Sequence, residues 1–189
     1  MADYPKDVQI VYKQHPLPMH PNAMPAAEAA MAANAQGKFV EMNRKLFANQ
    51  QQLTRENFLA WAKELGLDVD RFTKELDAHT YQAAIQKEAK EAEDIGAGGT
   101  PASFVNGRFL NGAKPYEAFK AIIDEELAWA KAGNRPDFKI AKNVSEASVK
   151  PAAAAGPDAN KVYDIRAGDA PYKGPDKAKV TILHYYDYQ

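Results

Sequence analysis

His15 and His20 bracket the stretch "HPLPMH", with Met19 inside it and Met24 just beyond, so two imidazoles and two thioethers lie close together along the sequence. Imidazole nitrogen and thioether sulfur are the ligands that soft transition metals prefer. The spacing matches no standard ligand set, and Pro16, Pro18 and Pro21 stiffen the stretch into a loop, so the reading is structural and no metal is expected. Glu88, Glu91 and Glu93 alternate with Lys87 and Lys90 at helical i,i+3 and i,i+4 spacings, the pattern of a solvated helix face rather than of paired catalytic carboxylates. The glycines of "GAGGTP", residues 96 to 101, precede a strand, whereas a phosphate loop needs a helix N-terminus. His184, in the closing strand, reads as a histidine packed in a sheet with one ring nitrogen hydrogen-bonded. No Ser-His-acid arrangement can be placed. Cysteine is absent, which removes disulfides, thiolate metal sites and cysteine catalysis together. No residue is therefore assigned a catalytic role, and no cofactor is expected.

The elements around these residues follow from periodicity. "DVQIVYKQ", residues 7 to 14, alternates and is rich in Val and Ile, so it reads as a strand that the prolines of "HPLPMHP" close. From Asn22 to Ile95 the pattern is helical in pieces: 23 to 35, 38 to 48, 55 to 65 between Thr54 and Gly66, a short helix from Asp68 to Leu76, and 80 to 95. "ASFVNGRFL", residues 102 to 110, is two short β runs around Asn106-Gly107, the dipeptide that supplies both positive φ angles of a type I′ turn. Residues 116 to 131 form an amphipathic helix ended by Gly133.

Residues 1–133 thus make one core, 134–161 are of low complexity and read as a linker, and 162–189 hold a short strand and the apolar strand "KVTILHYYDYQ". Val180, Ile182 and Tyr185 or Tyr186 give that last strand the composition of one buried on both faces. The 24 basic and 25 acidic residues of the protein are interspersed, giving a net charge of -1. No basic stripe favours nucleic acid or an anionic membrane as partner. No apolar stretch approaches the ~20 residues that span a bilayer, and "MADYPKDVQ" is not a signal peptide, so export of these residues by themselves is not expected.

"GAGGTPASFVNGRFLNGAKPYEAF", residues 96 to 119, resembles the thioredoxin-fold disulfide oxidoreductases of the DsbA type, in which a Thr-Pro pair with a cis bond precedes the hairpin of the sheet. The likeness runs from about residue 5 to 131, through the helical stretch. The tail "VYDIRAGDAPYKGPDKAKVTILHYYDYQ" also looks like the start of such a domain, up to the strand that in the family runs into Cys-x-x-Cys.

The resemblance implies an α/β, thioredoxin-like fold with an all-helical insert, whose central strand comes from the C-terminal segment in a permuted or domain-swapped arrangement. A segment cut from a tandem protein and a circular permutant both fit. It further implies thiol–disulfide chemistry on exported, extended polypeptides in a periplasmic or other extracytoplasmic compartment. Thr100 and Pro101 would then be the substrate-binding residues, and His184 would stand where the family often has a buried acidic residue. Without a thiolate, these residues are expected to be redox-inactive. The rival expectations are a non-enzymatic peptide-binding module using the Thr100-Pro101 groove, and an assembly domain that forms a homodimer by strand exchange.

Overall fold

The structure, a computed structural model, describes residues 3–136, 140–141, 156–158 and 161–189. Its elements are β1 (Val8–Gln14), α1 (Ala23–Asn34), α2 (Phe39–Ala48), α3 (Arg55–Glu64), α4 (Val69–Asp77), α5 (Gln82–Asp94), β2 (Ala102–Val105), β3 (Arg108–Asn111), α6 (Tyr116–Ala132), β4 (Ile140–Ala141), β5 (Val162–Tyr163), β6 (Tyr172–Lys173) and β7 (Val180–Tyr186). They fall into two compact units: a sheet unit, residues 1–13 with 90–185, and a helical unit, residues 14–89 with 186–189.

In the helical unit α1 is buried nearly all round, through Ala23, Ala26, Ala27, Ala29, Ala30, Ala32 and Ala33. Methyl side chains let neighbouring helices approach closely, and α2, α3 and α4 all pack on α1. They bring Met42, Leu46, Phe58, Trp61 and Phe72 into the core. The ends are set locally. Thr54 caps α3 by accepting from the Asn57 amide, Asp68 caps α4 by accepting from the Arg71 amide, and Gly66 leaves α3 in the left-handed region at φ 73°. After α4 that left-handed position is held by His79, at φ 49°, where glycine is the usual residue. The cost is offset by its ring, whose Nδ1 lies 3.1 Å from both oxygens of the buried Glu28.

The sheet unit is built on seven strands in the order β4-β5-β3-β2-β7-β1-β6. β7, last in sequence, lies near the middle, between β2 and β1. It pairs antiparallel with β2, with Ala102 opposite Tyr185 and Phe104 opposite Leu183. Alternation along the strands divides the apolar residues between the two faces. One face gathers Val11, Phe104, Leu183 and Tyr185 against Ala92 and Ile95. The other gathers Val8, Val105, Val180 and Ile182 against Ile123 and Leu127 of α6. Hydrophobic burial on both faces explains why a run such as "VTILHYY" has no polar side to show.

Two elements depart from the sequence reading. The stretch taken as a linker, 134–161, contributes β4, which pairs in parallel with β5; most of the remainder lies outside the described residues. Between the short strand and the closing strand of 162–189 lies a further strand, β6, which pairs with β1 through Ile10 and Val11. Two-residue strands are too short to leave a periodic signal.

Because β7 closes the gap between two strands, removing residues 179–189 would leave the edges of β2 and β1 that face it without ladder partners. A protein ending at Ala178 is therefore expected to lose its cooperative thermal transition and to bind a hydrophobic dye. A sharp melt by circular dichroism from the shortened protein would show that β7 is dispensable.

Candidate functional site

The loop before β2 is shaped from both ends. α5 finishes with Gly96 in the left-handed region at φ 82°, its amide donating to the Glu93 carbonyl while the Ala97 amide donates to Ala92. Gly98 and Gly99 follow, and the Thr100-Pro101 peptide bond is cis. On the far side the Pro101 carbonyl accepts from the Gly112 amide at 3.0 Å, which ties the loop to the end of β3. The next residue, Ala102, pairs with Asn111 on one side and Tyr185 on the other. Thr100 and Pro101 are half-buried. Among the described residues nothing hydrogen-bonds the Thr100 peptide group, so an N–H and a carbonyl stand available at the head of a fully buried strand.

His184 is placed by register. It lies opposite Ser103 across the β2–β7 ladder, and the Ser103 hydroxyl is 2.8 Å from its Nδ1. Burial pushes its pKa below the ordinary histidine value, so the ring is neutral at pH 7. His184 also lines a cavity of about 320 Å³ walled by Ile10, Tyr12, Ile182, Phe119 and Tyr116. The hydrogen bond to Ser103 agrees with the sheet histidine read from the sequence.

The acidic helix needs correction. Glu91 is not a solvated residue: its Oε1 accepts from the Tyr185 hydroxyl and lies 3.4 Å from the Nζ of Lys13, itself 4% exposed. Glu88 accepts from the Gln14 amide at 2.7 Å. Both turn inward because they lie on the side of α5 that carries Ile85 and Ala92, and a buried lysine in β1 requires a counter-charge. Glu93 and Lys90 keep the exposed face, where Lys90 pairs with Asp94 at 2.7 Å.

The structure sends the side chains of the His-Met loop to different surroundings. His15 is buried and Met19 is 72% exposed. His20 Nδ1 lies 2.7 Å from Asp187, whose carboxylate also accepts from the Leu17 and Gln189 amides. Asp187 is thus the residue that organises this loop. Sequence reasoning missed it, since an aspartate among the tyrosines of "YYDYQ" carries no spacing signal.

It also missed Glu126. This carboxylate, 1% exposed on α6, accepts from Arg135 at 2.8 Å and from Asn106 at 3.0 Å, and Arg108 stands 3.6 Å away. Arg135 donates as well to the Asn106 carbonyl at 2.9 Å. The cluster clamps the hairpin turn to α6. A signal was present, because Glu126 falls in the apolar stripe of Ile122, Ile123 and Leu127, where an unpaired charge is not tolerated.

A cis Thr-Pro bond heads the β2–β3 hairpin beside β7, and the family model of the DSBA-like thioredoxin domain matches residues 2–124. The chain belongs to that family. Among the curated relatives that match part of it are the Na(+)/H(+) antiporter NhaA 3 of Salinispora tropica, 37% identical over 74% of this chain and 22% of that protein; NhaA 1 of Salinispora arenicola, 36% over 69% and 20%; and NhaA of Herminiimonas arsenicoxydans, 35% over 65% and 20%. The chain spans about a fifth of the length of these relatives. No solved structure matches it. The DSBA-like domain accounts for the fold, and cysteine is absent from these 189 residues.

The half-buried His184 makes a pH signature. Its pKa is lower folded than unfolded, so the unfolded state binds more protons below about pH 6.5, and the stability from this group is full above that value and falls as the pH drops towards the folded pKa. His184→Gln, which keeps a partner for Ser103, is expected to flatten the fall in melting temperature between neutral and mildly acidic pH. Unchanged pH dependence in the variant, or an NMR titration of the His184 ring at the ordinary value, would contradict the assignment.

Proposed function

We propose that the protein is a module of the DsbA-like thiol–disulfide oxidoreductase type, redox-inactive as these residues stand, which holds an extended polypeptide at the Thr100-Pro101 loop. The observation that carries the reading is the Thr100 peptide group, without a hydrogen-bond partner among the described residues at the head of β2. An extended polypeptide laid against it would add main-chain hydrogen bonds, the source of affinity in β-strand addition, with little demand on side-chain identity. Exchange itself needs a thiolate, and none is present. Neutral His184, held beneath the end of the sheet by Ser103, would then be a structural survivor of a position that tunes thiols in the family. The family's usual extracytoplasmic setting supports exported polypeptides as the ligands. The antiporter name belongs to the whole relatives, and a shared fifth of their length carries no transport activity over to this protein.

Two measurements test the reading. Insulin reduction is expected at the no-protein background at every pH, and turnover above it would overturn redox inactivity. A labelled, unstructured peptide is expected to bind by fluorescence anisotropy, and Thr100→Arg, which crowds the loop, to weaken it about tenfold or more. Binding that ignores Thr100→Arg, or no binding at all, would remove the loop as the site.

A further inference from the structure

The hairpin contains the dipeptide Asn-Gly twice, at Asn106-Gly107 and at Asn111-Gly112. Asn-Gly is the sequence most open to succinimide formation, because glycine puts no side chain in the way of its own amide nitrogen. The structure treats the two copies differently. We propose that Asn111 is a site of spontaneous deamidation in the folded protein, and that Asn106 is protected.

Asn106 is held at three points. Its Nδ2 donates to Glu126 at 3.0 Å and to the Lys179 carbonyl at 3.2 Å, and its Oδ1 accepts from the Thr181 amide at 2.8 Å. Closing the ring onto Cγ expels Nδ2, and with it both hydrogen bonds that this nitrogen donates. Room is lacking too. Gly107 is buried, and a β-carbon there would collide with the Tyr163 carbonyl and come within 2.7 Å of Val162 Cγ1, so the ring intermediate would be crowded from the same side.

Asn111 meets none of these restraints. It is the exposed last residue of β3, and among the described residues its side chain makes no hydrogen bond. Gly112 has φ 71°, and apart from its chain neighbours no atom of the described residues lies within 4 Å of where a β-carbon would stand. The remaining restraint is the bond from the Gly112 amide to the Pro101 carbonyl. It lies at a strand end, where local opening needs the least free energy.

In the reaction the Gly112 nitrogen forms a bond to Asn111 Cγ, the bond from Cγ to Nδ2 breaks, and ammonia leaves with the proton lost by the Gly112 amide. Water then opens the ring at either carbonyl, giving aspartate or isoaspartate, with no change of oxidation state. The isoaspartate product inserts a methylene into the backbone next to Gly112. The bond that ties the loop of Thr100 and Pro101 to β3 is then out of register, so ageing at one exposed amide reaches that loop.

The full-length protein would be incubated in warm, mildly alkaline buffer and sampled over time by peptide-mapping mass spectrometry with isoaspartate-specific enzymatic labelling. Conversion is expected at Asn111 at least about tenfold faster than at Asn106 while the protein is folded, and at similar rates at both once urea unfolds it, since protection depends on local structure. Asn111→Gln should abolish the labelled product. Equal rates in the folded protein, a faster Asn106, or an intact Asn111 in the folded protein alongside a reactive one in urea would each overturn the proposal.

Discussion

A strand buried on both faces has nowhere to send its peptide groups except to its neighbours, and β7 is such a strand. Its ladder with β2 sets the register that brings Ser103 to His184 and Ala102 to Tyr185. It separates Leu183 and Tyr185 from Val180 and Ile182, and so assigns each apolar residue to one face of the sheet. Burying these faces is the main driving force of the unit, and the ladder contributes by leaving few buried amides unpaired. The Thr100-Pro101 loop owes its place to that pairing, since it ends where β2 begins.

The two ends of the β2–β3 hairpin are secured by different chemistry. At the turn, Glu126 gathers Arg135, Arg108 and Asn106, and a carboxylate this buried is tolerable because charged and neutral donors surround it. At the open end the Gly112 amide donates a main-chain hydrogen bond to the Pro101 carbonyl. The hairpin is thus heavily restrained at its turn and lightly restrained at its open end.

The family relationship separates fold from activity. The DSBA-like thioredoxin domain model matches residues 2–124, yet cysteine is absent throughout, and no other side chain replaces a thiolate in disulfide exchange. The structure shows a cis Thr-Pro bond before the hairpin and, in β7, a histidine whose pKa burial lowers.

Much of this was legible in the sequence wherever the signal is local. The helix ends at Thr54, Gly66, Asp68 and Gly133 follow from backbone conformation and capping groups, and Asn106-Gly107 shows its type I′ turn in two positive φ angles. The apolar composition of residues 180 to 186 marked a doubly buried strand before any neighbour was known. Tertiary structure alone decided the pairings. β4 and β6 are too short to be periodic, and exist because β5 and β1 offer them free edges. Glu88 and Glu91 look like members of a solvated stripe, because a sequence cannot show that Lys13 is buried and needs one of them. The same holds for the two Asn-Gly copies: their local chemistry is identical, and only the groups that the fold brings around Asn106 make them differ.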